Sequence, residues 1–355
     1  KRLTGGELPT VYTVDLRQEL QEGNRSIFSR KLQELMTDRL NKGQQTILFL
    51  NRRGYAGFVS CRSCGEVMKC PHCDVSLSEH KGGRLICHYC GYTQPMPKLC
   101  PKCGSKYILG FKAGTQQIEE KLKELYPGVR TLRMDADTTR TKDSYEKILS
   151  SFANGEADVL IGTQMIVKGH DFPKVTLVGI LAADLSLNAS DYRAGERTFQ
   201  LLTQAVGRAG RGVLPGEAVI QTYQPDHYAI TCAAAQDYES FYQEEILYRE
   251  LSGYPPVAHM LAVQIYGKEE ENVKQLALRL TDVVKSNMDF LSGKQKEQSN
   301  KKIQVLGPAP ANISKINDIY RYVFYVKHAE YDVLVEVKDR LEETLRQWQP
   351  RQMSI

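Results

Sequence analysis

Residues 61–103 read CRSCGEVMKCPHCDVSLSEHKGGRLICHYCGYTQPMPKLCPKC and contain eight of the nine cysteines of the 355-residue chain. The eight form four Cys-x-x-Cys pairs: Cys61/Cys64, Cys70/Cys73, Cys87/Cys90 and Cys100/Cys103. Two intervening residues let both thiolates of a pair bind one metal through a tight turn, and two pairs complete a tetrahedral zinc site. The stretch therefore predicts two structural Zn²⁺ sites with four cysteine ligands each.

The sequence leaves open which pairs share a metal. Residues 74–86, between the second and third pairs, suit a short hairpin with Gly82-Gly83 at its tip, and a hairpin over one metal favours a nested arrangement. The inner site then consists of Cys70, Cys73, Cys87 and Cys90, and the outer site of Cys61, Cys64, Cys100 and Cys103. Sequential pairing, in which the first pair joins the second, is the alternative.

Composition narrows the class of protein. Disulfides are disfavoured because the cysteines lie in a long chain without a secretory apolar segment, which also predicts a cytoplasmic location. Catalytic zinc is disfavoured because four thiolates leave no open position for water. No apolar run approaches the ~20 residues that span a membrane. The formal charge of +5 falls to about +1 once eight thiolates and two zinc ions are counted, so net charge alone does not indicate a nucleic-acid partner.

Outward from the cysteines, helical patterns alternate with short apolar strands, such as Thr46-Ile-Leu-Phe-Leu50. Further strands are predicted over 107–111, 129–134, 159–161, 176–181 and 217–222, and Ser26 is the expected N-cap of a helix that ends at Asn41. This alternation predicts an α/β fold with a parallel sheet covered by helices on both faces. The predicted organisation is a linker (1–10), a sheet domain (11–58 and 107–226), a zinc insert (59–106) and a small α+β domain with its leading helices (227–355), in which 292–302 is expected to be a mobile loop.

Three polar segments of the sheet domain are candidates for chemistry. Gln204-Ala-Val-Gly-Arg-Ala-Gly-Arg211 places two arginines at the end of a helix, and guanidinium groups suit phosphates. Thr163, Gln164 and Lys168 follow a predicted strand at its carboxyl end, where open α/β sheets bind ligands. Asn51-Arg-Arg-Gly-Tyr55 occupies the equivalent end of an earlier strand. Taken singly, a Gly-Arg-x-Gly-Arg run is often only a solvated turn, and a Thr-Gln pair only a cap.

In combination, these segments resemble the superfamily 2 helicases. The Gln-x-x-Gly-Arg-x-Gly-Arg run looks like their motif VI, and Gly162-Thr-Gln-Met165 with Lys168-Gly-His-Asp-Phe-Pro173 looks like their motif V. Four Cys-x-x-Cys pairs placed directly after Asn51-Arg-Arg-Gly-Tyr55 are similar to the PriA family, the bacterial primosomal protein N prime helicases of replication restart. Val305-Leu-Gly-Pro-Ala-Pro310 with Tyr320-Arg-Tyr322 resembles that family's C-terminal domain. The fold implied is a RecA-like helicase lobe with the zinc insert and a small α+β C-terminal domain.

The resemblance implies roles for individual residues. Arg208 and Arg211 would reach the phosphates of ATP with Gln204 orienting them, and Gly169, Asp171 and Gly207 would shape the nucleotide-facing loops. Thr163, Gln164 and Lys168 would contact DNA, or Thr163 and Gln164 would couple the DNA to the nucleotide. Arg52 and Arg53 would add phosphate contacts, although a role in seating the insert fits them equally. In the last domain, Lys315 and Arg321 would contact single strands beside tyrosines, or Arg321 would instead bind the acidic tail of single-strand-binding protein. Tyr322 is better explained as the buried face of a strand.

The departure from a complete helicase is equally informative. The chain has no Gly-x-x-x-x-Gly-Lys-Ser/Thr run and no Asp-Glu-x-His run, so the phosphate cradle and the Mg²⁺ carboxylates are missing. We therefore expect the second motor lobe of a longer 3′–5′ DNA helicase that uses ATP and Mg²⁺, and no hydrolysis by this chain alone. The expected partners are single-stranded and forked DNA, single-strand-binding protein, and primosome and helicase-loader proteins at the bacterial nucleoid. A non-catalytic docking module and an RNA-processing factor are the competing interpretations, and the insert itself suits contact with DNA or with protein.

Overall fold

The computed structural model describes residues 8–50, 59–73, 75–80, 83–109, 114–135, 138–139, 141–167, 171–189, 191–286, 302–348 and 353–354. They form two compact units. The first lies within Lys1–Val67, Pro97–Ala189 and Arg193–Tyr242, and the second within Met68–Met96, Ser190–Tyr192 and Gln243–Ile355. Residues 59–106, predicted as one insert, are thus shared between the two units, while the other predicted domain boundaries stay predictions.

The strands and helices of the described residues have the following bounds. The strands are β1 (Thr10–Asp15), β2 (Gln45–Leu50), β3 (Ser60–Cys61), β4 (Ser78–His80), β5 (Arg84–Ile86), β6 (Thr93–Pro95), β7 (Ile108–Leu109), β8 (Thr131–Met134), β9 (Val159–Gly162), β10 (Val175–Leu181), β11 (Glu217–Thr222), β12 (His259–Gly267), β13 (Gln304–Ile316), β14 (Ile319–His328) and β15 (Met353–Ser354). The helices are α1 (Leu16–Gln21), α2 (Arg30–Asn41), α3 (Thr115–Leu125), α4 (Lys142–Ala153), α5 (Asp184–Leu187), α6 (Ala194–Val206), α7 (Tyr228–Ala235), α8 (Tyr238–Ser252), α9 (Glu270–Ser286) and α10 (Tyr331–Trp348), with a 3₁₀ turn at Gln164–Val167.

The first unit is built on a parallel sheet with the strand order β1-β11-β10-β2-β9-β8. Strands β2, β9 and β10 are buried along their whole length, as apolar strands covered on both faces should be. One face packs against α4 and α6 through Phe152 and Phe199, and the other against α2 and α3 through Met36 and Ile118. The predicted parallel sheet between two helical layers is confirmed.

Two local predictions in this unit were wrong, and one strand was not predicted. The N-cap of α2 is Ser29, not Ser26: Ser29 has extended backbone and its hydroxyl accepts a hydrogen bond from the Leu32 amide at 3.3 Å. Residues 10–15 form the edge strand β1, which the predicted strands do not include although its TVYTVD sequence alternates as a half-buried strand does. Of the strand predicted over 107–111, the described residues contain β7, which pairs antiparallel with β3 and does not join the parallel sheet.

The second unit contains an antiparallel sheet with the order β13-β14-β12-β15 and a small sheet β4-β5-β6. On β14, Tyr322, Phe324 and Val326 point to one face and pack with α9 and α10 in a single core, because side chains alternate along a strand. This arrangement is the predicted α+β domain. Within the described part of the chain, no helix combines the length and apolarity needed to traverse a bilayer.

Candidate functional site

The cysteines assemble in the nested arrangement. Cys61, Cys64, Cys100 and Cys103 form one cluster and Cys70, Cys73, Cys87 and Cys90 another, and in each the four Sγ atoms lie within 4.8 Å of one another. Close Sγ–Sγ separations are 3.6 Å in the outer cluster and 3.5 Å in the inner one. Zinc bound by four thiolates at about 2.3 Å holds its sulfurs about 3.8 Å apart, so the geometry of both clusters fits Zn²⁺.

All four Cys-x-x-Cys turns share one backbone pattern. The amide of the first cysteine donates to the carbonyl five residues later, at 2.8 Å in each of Cys61, Cys70, Cys87 and Cys100. A glycine with positive φ follows the second cysteine at Gly65, Gly91 and Gly104, where other residues would be strained. The glycines directly after Cys64, Cys90 and Cys103 are thus the sequence signal of this turn.

Thiol acidity supports a cation in the inner cluster. The hydrogen bond from Cys73 lowers the pKa of Cys87, whereas burial and the neighbouring thiolate raise the pKa of Cys70. Four crowded thiols cannot all ionise without compensating charge. A divalent cation removes that restriction, and four sulfur donors with no other group favour Zn²⁺ held in a closed, structural site.

The outer cluster docks on the sheet of the first unit. A Cβ added to Gly65 would lie 2.5 Å from the carbonyl oxygen of Tyr223, and the guanidinium of Arg62 lies 5.0 Å from the centroid of the Tyr223 ring. The Tyr223 amide donates to the buried carboxylate of Asp184 at 3.0 Å, and burial raises the pKa of Asp184. Sequence analysis missed these contacts, because nothing local marks residues so distant in the chain as neighbours.

The inner cluster docks within the second unit. The Tyr254 hydroxyl donates to the carbonyl oxygen of Cys73 at 3.3 Å, and the Tyr89 ring lies 4.9 Å from that of Tyr325. His88 is 2 % exposed, with its Nδ1 2.9 Å from the Pro310 carbonyl oxygen. The sheet face opposite α9 and α10 is therefore covered by the zinc-binding segment.

The motif VI arginines meet one carboxylate. Asp171 forms ion pairs with Arg211 and, at 3.9 Å, with Arg208. The side chain of Arg208 is only 10 % exposed, against 35 % for Arg211, and burial lowers the pKa of Arg208. Gln204 is exposed. The cluster therefore presents Arg211 outward, with Arg208 packed behind it.

Glycines shape this loop, though not all those expected. Gly210 has φ +66°, and a Cβ there would lie 2.4 Å from the Gly216 amide nitrogen. Gly207 has helical dihedrals, and a Cβ there would meet only its own helix, 3.2 Å from the Thr203 carbonyl oxygen. Close backbone approach is thus required within the lobe at Gly210, while the nucleotide-facing role of Gly207 stays a prediction.

The candidate residues occupy opposite ends of the parallel sheet. The Gly210 amide donates at 2.9 Å to Val175, the first residue of β10, which places the arginine cluster at the amino ends of the strands. Half-buried Thr163 and Gln164 directly follow β9 at the carboxyl ends. Lys168, Gly169, Arg52 and Arg53 lie outside the described residues.

In the C-terminal domain, the candidate single-strand-binding residues differ in their contacts and burial. Lys315 pairs with Asp318 at 2.8 Å and lies 4.7 Å from the Tyr320 ring centroid, and the hydrogen bond to Asp318 raises the pKa of Lys315. The Arg321 guanidinium lies 5.3 Å from the Tyr266 ring. Tyr322 is 8 % exposed, which agrees with its interpretation as buried face. Burial thus sets Tyr322 apart from the lysine and arginine.

Comparison with known proteins identifies the family. Family profiles described as the PriA DNA helicase Cys-rich region (CRR) domain, the helicase conserved C-terminal domain and the primosomal protein N C-terminal domain match residues 70–95, 99–213 and 250–355. The replication restart protein PriA of Bacillus subtilis is 46% identical over 91% of this chain and 39% of its own length. That of Synechocystis is 42% identical over 97% of this chain and 41% of its own length.

The chain thus spans about two fifths of the length of the curated relatives it matches. Its successive profile matches fall in the order cysteine-rich region, helicase domain and C-terminal domain. The inner cysteine cluster lies in the first of these segments, and strands β8, β9 and β10 of the parallel sheet lie in the second. By its sequence, the chain belongs to the PriA family of replication restart helicases.

Proposed function

We propose that this chain is the second motor lobe of an ATP-dependent 3′–5′ DNA helicase that acts at stalled or repaired replication forks. The single observation that carries the proposal is the Asp171–Arg208–Arg211 cluster on its glycine-shaped turn. A guanidinium held at the rim of one lobe suits the negative charge that develops on a phosphoryl group bound by another.

The charges of the cluster are consistent with a switchable contact. Asp171 neutralises part of the arginine charge, yet its side chain is 67 % exposed, so its contacts with the arginines are accessible to a competing anion. A nucleotide phosphate carries more negative charge and more acceptor oxygens than a carboxylate. In the proposed mechanism Arg208 and Arg211 would reach the phosphates of ATP, and Gln204 would orient them. ATP and its Mg²⁺ are held chiefly by residues outside this chain, and Gly169 and Gly207 would shape the loops that face the nucleotide.

DNA contact is assigned to the other end of the sheet. Thr163 and Gln164 begin the turn after β9, and Lys168, Arg52 and Arg53 extend the same proposed surface by chain position. Hydroxyl, amide and basic groups of this kind bind the phosphate backbone without reading sequence. Lys315 and Arg321, each close to a tyrosine ring, are proposed to contact a single strand in the C-terminal domain.

The zinc ions have a structural role in this proposal. Both clusters are closed sets of four thiolates. The outer cluster contacts its unit through Gly65 and Tyr223, and the inner cluster contacts its unit through Cys73 and Tyr254. We extend the proposal to the partners expected of a restart helicase: forked DNA, single-strand-binding protein, and primosome and helicase-loader proteins, in the bacterial cytoplasm at the nucleoid. Remodelling of the lagging arm and reloading of the replicative helicase would follow from these contacts.

The proposal is tested on the complete helicase that contains this chain. Arg211→Ala is expected to lower DNA-stimulated ATP hydrolysis by about 10³-fold or more, as loss of an arginine finger does, with DNA affinity unchanged. Arg25→Ala, which alters an exposed arginine in the same lobe, is the matched control. Hydrolysis at the wild-type rate in Arg211→Ala would overturn the assignment, and so would ATP hydrolysis by the isolated chain in a preparation free of contaminating ATPases.

A further inference from the structure

Lys327 is a buried lysine on the second face of the C-terminal sheet. It lies on β14 and is 6 % exposed. Alternation along the strand sends Phe324 and Val326 into the helix-packed core, while Tyr325 and Lys327 point to the face that the inner cysteine segment covers. Lysine is rarely buried to this extent unless its charge is paired.

The immediate partners of the ammonium carry no net charge. Its Nζ donates to the Ser252 carbonyl oxygen at 2.8 Å and lies 4.1 Å from the centroid of the Tyr254 ring. A carbonyl and an aromatic face stabilise a cation, but neither neutralises it. Any anion that offsets this ammonium therefore lies beyond these two partners.

The Tyr254 ring connects Lys327 to the inner cluster. The ring is 2 % exposed, and its hydroxyl donates to the carbonyl oxygen of Cys73 at 3.3 Å. Burial lowers the pKa of Lys327, and the negative charge of Cys73 acts in the opposite direction. Four thiolates around one Zn²⁺ leave a net charge of about −2, and in a buried setting such a charge acts over several ångströms with little screening.

We propose that Lys327 is the counter-charge of the inner zinc site: an ammonium supplied by the C-terminal sheet offsets the excess negative charge of the zinc–thiolate cluster and slows loss of the metal. Lys327 is thus a positioning residue for Zn²⁺, one partner away from the ligands. Its role rests on zinc occupancy and is independent of the proposed ATP chemistry.

The outer site provides an internal comparison. In the first unit the Nη1 of Arg17 lies 3.5 Å from the Cys64 carbonyl oxygen. That guanidinium already forms a 2.6 Å ion pair with Asp15 and lies 3.9 Å from Asp226. Since its charge is largely neutralised, the outer site depends less on one cation.

The test measures zinc release site by site. The zinc-loaded protein is mixed with excess EDTA and N-ethylmaleimide, and peptide mass spectrometry follows which cysteines become alkylated. Lys327→Met removes charge and donor, Lys327→Gln keeps a donor for Ser252 without the charge, and Lys327→Arg keeps the charge. Lys338→Met is the control, because Lys338 is an exposed lysine of α10 paired with Glu342 at 2.9 Å.

We expect the inner cysteines, Cys70, Cys73, Cys87 and Cys90, to be alkylated about 10–100-fold faster in Lys327→Met and Lys327→Gln than in wild type. This is the usual effect of losing a group that supports metal ligands. The outer cysteines, the Arg variant and the control should keep the wild-type rate. A wild-type rate at the inner cysteines of Lys327→Gln would overturn the proposal, as would equal acceleration of both clusters, which indicates general loosening. Thermal unfolding followed by circular dichroism checks the fold, and Lys327→Gln decides the question if Lys327→Met does not fold.

Discussion

Replacing Gly65 by alanine should release the Cys61–Cys64 turn of the outer zinc site from the parallel sheet on which it docks. Gly65 has φ +77°, and the new Cβ would lie 2.5 Å from the Tyr223 carbonyl oxygen. Gly104 occupies the same position after the last cysteine of the same cluster, with φ +69° and nothing within 4 Å of its added Cβ. The two variants therefore share the backbone strain and differ only in the contact.

The expected magnitudes follow from these distances. A left-handed alanine costs about 1–2 kcal/mol at either position. At Gly65 the carbonyl must also retreat by about 1 Å to reach an ordinary contact of about 3.5 Å, and such overpacking adds about 1–3 kcal/mol. The extra cost at Gly65 corresponds to a change of roughly 5- to 150-fold in a local opening equilibrium.

Hydrogen exchange at the Tyr223 amide reports this opening, because that amide donates to Asp184 at 3.0 Å and 3.1 Å. Exchange should be roughly 5- to 150-fold faster in Gly65→Ala than in Gly104→Ala, with zinc content equal in both. Equal exchange rates in the two variants would refute the reasoning, since the close approach to Tyr223 would then contribute nothing.

Gly210→Ala should disrupt the arginine loop, because its Cβ would lie 2.4 Å from the Gly216 amide nitrogen, whereas Gly207→Ala should be tolerated; limited proteolysis of the loop distinguishes the two variants. Burial raises the pKa of Asp184 above its ordinary 3.8, so its contribution to stability is full below pH ~4 and is lost as pH rises through the raised pKa. The gap in melting temperature between wild type and Asp184→Asn should therefore move in favour of the variant as pH rises, and a pH-independent gap would count against it. At Asp158, burial is outweighed by hydrogen bonds from Arg130 and the pKa is lowered. The gap in melting temperature between wild type and Asp158→Asn should therefore move in favour of wild type as pH rises. Chelation of both zinc ions should leave most of the far-ultraviolet helical signal, because the cores of the first unit contain no zinc ligand; complete loss of helicity would contradict this.

Local periodicity was sufficient to predict most of the architecture. The apolar runs of β2, β9 and β10 and the nested cysteines are encoded by residues close in sequence, so both could be predicted. The N-cap of α2 was predicted at Ser26 and is Ser29. Both serines suit a cap by residue type, and only the tertiary packing of Phe28 and Leu32 selects Ser29.

What sequence analysis missed depends on contacts between distant segments. From sequence alone, Asp184 looks like an ordinary acidic residue at the start of a helix, and its contact with the Tyr223 amide is not visible. Lys327 likewise looks like an exposed lysine, although the zinc-binding segment covers its face of the sheet. The separation of Thr163 from Arg211 to opposite ends of the sheet follows from the course of the chain between β9 and β10 and has no local signature.

The interleaving of the two units along the chain has a consequence for biosynthesis. The inner cysteines leave the ribosome well before Tyr254 and Lys327, which cover them in the finished protein. At about 5–20 residues per second, the nascent cysteine hairpin waits on the order of ten seconds or longer without its sheet. Zinc bound during that interval is held without the cover of Tyr254 and Lys327, so we expect newly made chains to lose zinc more readily than mature ones.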